Sequence, residues 1–290
     1  MRILILGGDG MLGHQLLRRL RAGHELRATL RQNAAAYAAW PMFDSRSAYF
    51  DVDVRSADRL AKVFADFRPV AVINAVGIVK QRPEAEEAIV SIEVNALLPH
   101  RLALLCRTAG ARLIHMSTDC VFSGERGGYT EADPCDARDL YGLSKRLGEV
   151  TGPGCLTLRT SIIGPELSRK AGLLEWFLAQ RGSVNGYTGA IFSGFTTLEM
   201  SRIIERLLAS QPGLSGLYHV ASKPISKFEL LGAIRDALGL ETRIAPYSDF
   251  RCDRSLDASK FGRDSGYIAP GWPEMIAELA LALKGAADDS

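Results

Sequence analysis

The sequence predicts an α/β fold, a doubly wound parallel sheet wrapped by helices, followed by a smaller C-terminal region. Three observations point there. Short apolar runs rich in branched residues alternate with amphipathic stretches, without a break, to about Ile163. A glycine-rich turn, GGDGMLGH, separates the first apolar run from the first amphipathic stretch. The 290 residues, 47% hydrophobic and 23% charged, are enough for one large α/β domain or two modest ones.

RILIL reads as a strand buried on both faces, and Met11 to Ala22 as a helix with leucines along one side and Gly23 as its stop. ELRATL and AYFDVDV are the second and third strands, and Ala57 to Phe67 is the next helix. Pro69 introduces the fourth strand, VAVINAV, and apolar recurrence every three to four residues makes Glu84 to Ala109 a long helix. ARLIHMS is the fifth strand, Asp136 to Gly152 a helix, and CLTLRTSII the sixth strand. Beyond it, the glycine-rich GSVNGYTGAIFSG separates helices near Leu173–Gln180 and Thr197–Ser210. GLYHVA is a strand near 216–221 that returns to the sheet, and helices follow near Phe228–Leu238 and Glu274–Leu283. The chain therefore divides into a dinucleotide-binding domain of Rossmann type at 1–165 and a region at 166–290 that could cap the ligand edge of the sheet. The tail GAADDS is expected to fray.

Composition excludes several classes. The net charge of +2 is well mixed in sign, so no basic patch argues for nucleic acid or an anionic membrane. Five cysteines (106, 120, 135, 155, 252) with no C-x-x-C pair point to free thiols in a reducing compartment, not to disulfides or a metal site. Gly7, Gly8 and Asp9 interrupt the N-terminal apolar run too early for a signal peptide. No run approaches the ~18 apolar residues of a membrane span. A cytoplasmic protein is expected.

The glycine turn admits two spacings, G-x-G-x-x-G from Gly8 and G-x-x-G-x-x-G from Gly7, Gly10 and Gly13. Either places bare backbone N–H groups, with Met11 and Leu12 opening the helix, where they can cradle a pyrophosphate. An NAD-type loop calls for an acidic residue about 20 residues later, at the end of the second strand. The chain has Arg31 there, and Glu25 is at the wrong end of the strand. A guanidinium can pair with a 2′-phosphate, so NADPH is expected, with NADH possible; the bland reading of Arg31 is a solvated loop arginine. Tyr141 and Lys145, in YGLSK, are four residues apart on one helix face. An ammonium beside a phenol favours its phenolate and eases proton transfer to a carbonyl oxygen.

With these residues in place the chain resembles the extended short-chain dehydrogenase/reductases, and within them the dTDP-4-dehydrorhamnose reductase group and related nucleotide-sugar 4-keto reductases. The resemblance covers nearly the whole chain and selects the Gly7, Gly10, Gly13 spacing. It implies that Thr118 in MSTDCVF bonds the substrate carbonyl, that Tyr141 and Lys145 form the proton-donating pair, and that Lys145 holds the cofactor ribose. It further implies that Asp53, with Val54, meets the adenine, and that Asn74-Ala75-Val76-Gly77 passes close to the cofactor ribose. Asp119, Phe122 and Arg254 are expected to border the substrate, and 166–290 is expected to be mainly a substrate-binding region. The implied activity is NADPH-dependent reduction of a 4-keto group on a nucleotide-linked deoxysugar, by a possible homodimer.

The chain also departs from its relatives. Cys120 follows Asp119 where the 4,6-dehydratases carry glutamate, and Ile162 stands where many rhamnose-pathway reductases have an aromatic residue. In the GDP-fucose synthase branch a cysteine at this place works with a histidine to epimerise the sugar. The histidines here are 14, 24, 100, 115 and 219, and none lies after the sixth strand where that partner sits. Cys120 is therefore expected to be a spectator. An epimerase would need another acid–base group, such as Lys80 or Glu166. The remaining alternative is a non-catalytic NADP-binding regulatory subunit.

Overall fold

The computed structural model describes residues 1–79, 87–168 and 170–288. In chain order the first elements are β1 (Arg2–Leu6), α1 (Gly13–Leu20), β2 (Glu25–Thr29), β3 (Ala48–Tyr49), α2 (Ala57–Phe67) and β4 (Ala71–Asn74). A long helix follows: α3 (Ala88–Ser91), a π-helical turn over Ile92–Leu97, and α4 (Leu98–Ala109). Next come β5 (Arg112–Met116), α5 (Leu140–Leu147), β6 (Cys155–Arg159), β7 (Ile162–Ile163), α6 (Leu173–Leu178), β8 (Ser183–Phe192), β9 (Phe195–Thr196) and α7 (Thr197–Ser210). The chain closes with β10 (Gly216–His219), β11 (Ile225–Ser226), α8 (Lys227–Leu238), β12 (Arg243–Asp253), α9 (Ser259–Ser265) and α10 (Trp272–Asp288).

Among the described residues, the main sheet has seven strands in the order β10-β6-β5-β4-β1-β2-β3. The pairs from β3 through β6 are all parallel. This is the doubly wound order, and its direction reverses between β1 and β4. Ligands of such sheets bind in the crevice outside the carboxyl ends of the strands at that reversal. The loops after β1 and β4 therefore hold the natural cofactor position.

The chain forms two compact units. The first comprises Met1–Thr118, Arg138–Leu158 and Ser201–Leu217; the second comprises Asp119–Ala137, Arg159–Met200 and the residues from Tyr218 onward. Both are discontinuous, so 165/166 divides the chain but not its contacts. In the first unit Leu4, Leu6, Leu60, Phe64, Val72, Leu98, Leu102 and Leu113 share one core cluster. The helix Ala88–Ala109 is long and apolar enough on average to cross a membrane, which a search for uninterrupted apolar runs overlooks. Its buried Val94, Leu98, Leu102 and Cys106 join that core, so its apolarity serves packing.

Several boundaries differ from expectation. The third strand is only Ala48–Tyr49, because the chain turns at Asp51, whose φ is +56°. The helix carrying Tyr141 is Leu140–Leu147, not Asp136–Gly152, because the Asp139 side chain caps it by accepting from Gly142 N–H at 2.9 Å. CLTLRTSII is two strands, β6 and β7. GSVNGYTGAIFSG, read as a loop, contains the ten-residue strand β8, central in a second sheet ordered β11-β8-β12. Glycine there permits close packing: a Cβ on Gly186 would lie 2.7 Å from the Phe228 ring, and one on Gly189 would lie 2.7 Å from the Phe250 carbonyl oxygen. Glu84 to Glu86, the start of the expected long helix, and the last two residues of the tail lie outside the described residues.

Candidate active site

The glycine loop begins where β1 ends. Gly7 has φ +80°, a conformation that L side chains rarely adopt, and a Cβ on it would lie 2.9 Å from Val76 Cγ2. Gly10 N–H donates to Gly7 O at 3.1 Å and closes the turn. A Cβ on Gly13 would overlap the Gly7 carbonyl oxygen, so α1 can start this close to β1 only with glycine there. Gly8 answers a different need, because a Cβ there would meet the Ala28 Cβ of β2 at 2.6 Å. The turn is thus built on Gly7 and Gly13. Gly10 is different again: its Cβ would meet only Gly7 O, at 3.2 Å, so protein packing alone does not demand glycine.

Helix α1 has no side-chain cap and no acidic residue in its first turn. Its leading N–H groups, over Met11, Leu12 and Gly13, give a positive end suited to an anion. Loop and helix end fit a pyrophosphate. Two residues that sequence reasoning missed brace the loop. His14 donates through Nδ1 to Gly10 O at 2.8 Å, and Tyr37 donates its hydroxyl to Asp9 at 3.1 Å.

Arg31 is exposed just beyond β2. Asp53 follows β3 and accepts from Arg55 Nη2 at 2.6 Å, which with the nearby Arg31 holds its carboxyl below the usual range. Val54 is next in sequence and packs against the core. After β4, Asn74 Oδ1 accepts from Val76 N–H at 3.2 Å, which folds Ala75, Val76 and Gly77 into a turn. That bond leaves Asn74 Nδ2 to donate to His115 Nδ1 at 3.1 Å. Gly77 passes beside the catalytic candidates, since a Cβ on it would lie 3.9 Å from Lys145 Nζ.

Thr118 is buried two residues beyond β5, and Tyr141 is half-buried in the first turn of α5. Lys145, one turn further on, is 4% exposed and donates from Nζ to Met116 O at 2.7 Å. Burial brings its ammonium from an ordinary 10.5 down to about 8, and the Glu149 carboxylate opposes that fall. Asn95, in the π-helical turn, supports this arrangement: it accepts from Ile78 N–H at 2.9 Å and donates to Ile78 O at 3.0 Å and Ser144 Oγ at 3.2 Å. A buried asparagine in an apolar helix was the available sequence signal, since π-turns concentrate at functional sites.

The depressed Lys145 fixes a pH dependence. Below pH 8 the folded protein carries a buried charge that the unfolded chain solvates. Between about 8 and 10.5 the unfolded state binds more protons, so stability rises with pH, by about 3 kcal/mol in all. Unfolding of wild type and Lys145→Met, measured across this range, should show the rise only in wild type. Parallel curves would contradict a buried, charged lysine.

The remaining candidates lie in the second unit. Asp119 is buried in a short 3-10 turn, and its N–H donates to Thr160 O at 3.3 Å. Arg254 is anchored through Nε to Phe122 O at 2.8 Å. Phe122 itself corrects an expectation. Its ring is 0% exposed, stacked on Tyr129 at 4.2 Å and covered by the Arg159 guanidinium, so it offers no surface to a sugar and supports the site from the core. Cys120 is partly exposed. Glu166 accepts from Ala171 and Gly172 N–H and so closes a loop; Lys80 lies outside the described residues. Among the described residues, no cluster of three or more His, Cys or carboxylate side chains could hold a metal ion.

A reversing parallel sheet, an uncapped glycine-loop helix and a buried lysine one turn from a tyrosine define a dinucleotide-binding α/β protein, with a candidate acid–base pair on α5 beside the end of β5. The model of the family described as RmlD substrate binding domain matches residues 1–176, and the chain belongs to that family. It is 31% identical to a probable dTDP-4,6-dihydroxy-2-methyloxan-3-one 4-ketoreductase of Streptomyces antibioticus, over 77% of this chain and 72% of that one. It is 29% identical to the spore coat polysaccharide biosynthesis protein SpsK of Bacillus subtilis, over 84% and 81%. The crystal structure of dTDP-4-dehydrorhamnose reductase from Bacillus anthracis in complex with NADP superposes with a TM-score of 0.79, covering 97% of this chain and 99% of that one at 22% identity, a likeness of fold.

Proposed function

We propose that the chain is an NADPH-dependent oxidoreductase that reduces a 4-keto group on a nucleotide-linked deoxysugar. The observation that carries this reading is the buried Lys145, held on Met116 O at the end of β5 and one helical turn from Tyr141. The family and its named ketoreductases support the substrate class. NADPH supplies the hydride when bound. The α1 N-terminus with Gly7, Gly10, Met11, Leu12 and Gly13 would hold its pyrophosphate. Asp53 and Val54 would meet the adenine, and Ala75, Val76, Gly77 and Lys145 the ribose.

Tyr141 donates a proton to the carbonyl oxygen, Lys145 favours the phenolate left behind, and Thr118 orients the carbonyl. Asp119 and Arg254 bind the substrate; Arg254, fixed by Phe122 O, presents a cation suited to the phosphate groups. A soluble cytoplasmic setting fits these roles. Exposed Ile89, Ile92 and Leu104 on the α3–α4 helix, with Leu143 and Leu147 on α5, support a homodimer.

The test is NADPH oxidation with a panel of dTDP-, UDP- and GDP-linked 4-keto sugars. Turnover with at least one is expected, and none with any of them overturns the reading. Arg31 gives a cofactor prediction. A charge-assisted pair with a 2′-phosphate is worth about 1.5 kcal/mol or more, roughly tenfold in affinity. NADPH should therefore raise the melting temperature more than NADH at equal concentration, and Arg31→Ala should erase the difference. Equal stabilisation of wild type by both would leave Arg31 without a role in cofactor choice.

A further inference from the structure

Consecutive residues at the end of β5 are each tied to a different part of the first unit. His115 accepts from Asn74, whose side chain folds the Val76–Gly77 turn. Met116 O accepts from Lys145 Nζ. Ser117 Oγ donates to Glu149 Oε1 at 2.7 Å, while its N–H donates to Leu158 O at 2.7 Å. Thr118 ends the run. Glu149 stands four residues after Lys145, just past the end of α5, so the Ser117–Glu149 bond joins the segment carrying Thr118 to the segment carrying Tyr141 and Lys145.

We propose that Ser117 and Glu149 are positioning residues, a hydroxyl–carboxylate clip that sets the strand end against the helix and places a negative charge near the Lys145 ammonium. This rests on reading Thr118, Tyr141 and Lys145 as the reductive site. The physical need is plain. Lys145 has given up its hydration, and a nearby carboxylate favours its charged form. Among the described residues, the titratable groups around it are few. On its own segment these are Tyr141 and Glu149. On β5 it is His115, kept neutral by burial and by Lys145 itself. His100 on α4, whose Nε2 donates to Leu147 O at 2.8 Å, acts on His115. Glu149 is the carboxylate among them.

The two halves of the clip can be separated. Glu149→Gln keeps an oxygen that accepts from Ser117 but removes the charge. Ser117→Ala keeps the charge but removes the tether. The titration of Lys145 is read by NMR of the full chain with labelled lysine side chains, Lys145→Met giving the assignment, and the pH profile of kcat is measured in parallel. In Glu149→Gln the Lys145 midpoint and the alkaline limb of kcat should both move to lower pH by about half a unit or more. Ser117→Ala should lower kcat about tenfold while the KM for NADPH stays within about twofold, as expected for misplacement of reacting groups. Glu149→Asp should restore the midpoint. A midpoint unmoved in Glu149→Gln, or wild-type kcat in Ser117→Ala, overturns the clip. If wild type reduces no 4-keto sugar, the functional reading fails, and the NMR midpoint still decides the charge half of the proposal.

Discussion

Replacing Tyr141 with phenylalanine is expected to lower turnover by about 10²–10⁴-fold, the usual loss when a general acid is removed. The phenol is half-buried in the first turn of α5, where the Asp139 cap fixes the start of the helix. The ring can stay where it is, since only the hydroxyl is lost. Melting temperature and NADPH affinity should therefore remain close to wild type, and the defect should fall on kcat. On the proposed mechanism the Lys145 ammonium stabilises the phenolate that forms when the proton leaves, so the defect in Lys145→Met should overlap with this one and not add to it. Turnover of Tyr141→Phe within threefold of wild type would remove Tyr141 from the chemistry.

The second large effect is expected at the glycine loop, and it differs between two neighbouring glycines. Gly13→Ala drives a methyl group into the Gly7 carbonyl oxygen, a backbone atom that cannot swing aside. Overpacking of this kind costs about 1–3 kcal/mol of stability, and the displaced helix end would lose the N–H bonds it is proposed to make to the pyrophosphate. Two charge-assisted bonds at about 1.5 kcal/mol each correspond to roughly 100-fold weaker binding. Gly10→Ala meets only Gly7 O at 3.2 Å, so the fold should keep nearly its full stability while NADPH binding still falls. Thermal melts and NADPH titrations of the two variants check this. Equal melting temperatures, or wild-type affinity in Gly10→Ala, would contradict the loop assignment.

The parallel half of the fold was legible because its signals were local. Ser56 caps α2 by accepting from Arg59 N–H, and Leu60, Val63, Phe64 and Phe67 recur at helical spacing, so the helix was read at its observed limits, Ala57–Phe67. The second sheet was not legible. Gly186 and Gly189 carry the composition of a turn, yet they serve the approach of Phe228, Ile244 and Phe250, which is set by residues about 40 to 60 positions away. Strand β12 has Pro246 within it and a register shift against β8 between Tyr247 and Arg251, both of which hide a strand pattern.

The proposed site divides in the same way. The glycine spacing, Tyr141, Lys145 and Thr118 were visible as motifs tied to strand ends. Asn95, Ser117 and Glu149 were not, because their side-chain partners are 17 to 49 residues away and are fixed only by the fold; His14 bonds a backbone carbonyl four residues back, which no motif marks. Phe122 misled for a related reason. It neighbours residues expected at the substrate, but its ring belongs to the core with Val121, Tyr129, Ala221 and Leu256.

The central claim is reduction at the keto carbon. Its most direct test uses NADPH carrying deuterium at the transferable position of the nicotinamide, with a nucleotide-linked 4-keto-6-deoxysugar and NMR of the product. One deuterium at sugar C4, with one cofactor oxidised per product, is the expected result; unlabelled NADPH in D₂O should leave C3 and C5 at background exchange in both wild type and Cys120→Ser. Solvent deuterium at C3 or C5 that appears without cofactor consumption and vanishes in Cys120→Ser would contradict the account and identify an epimerase.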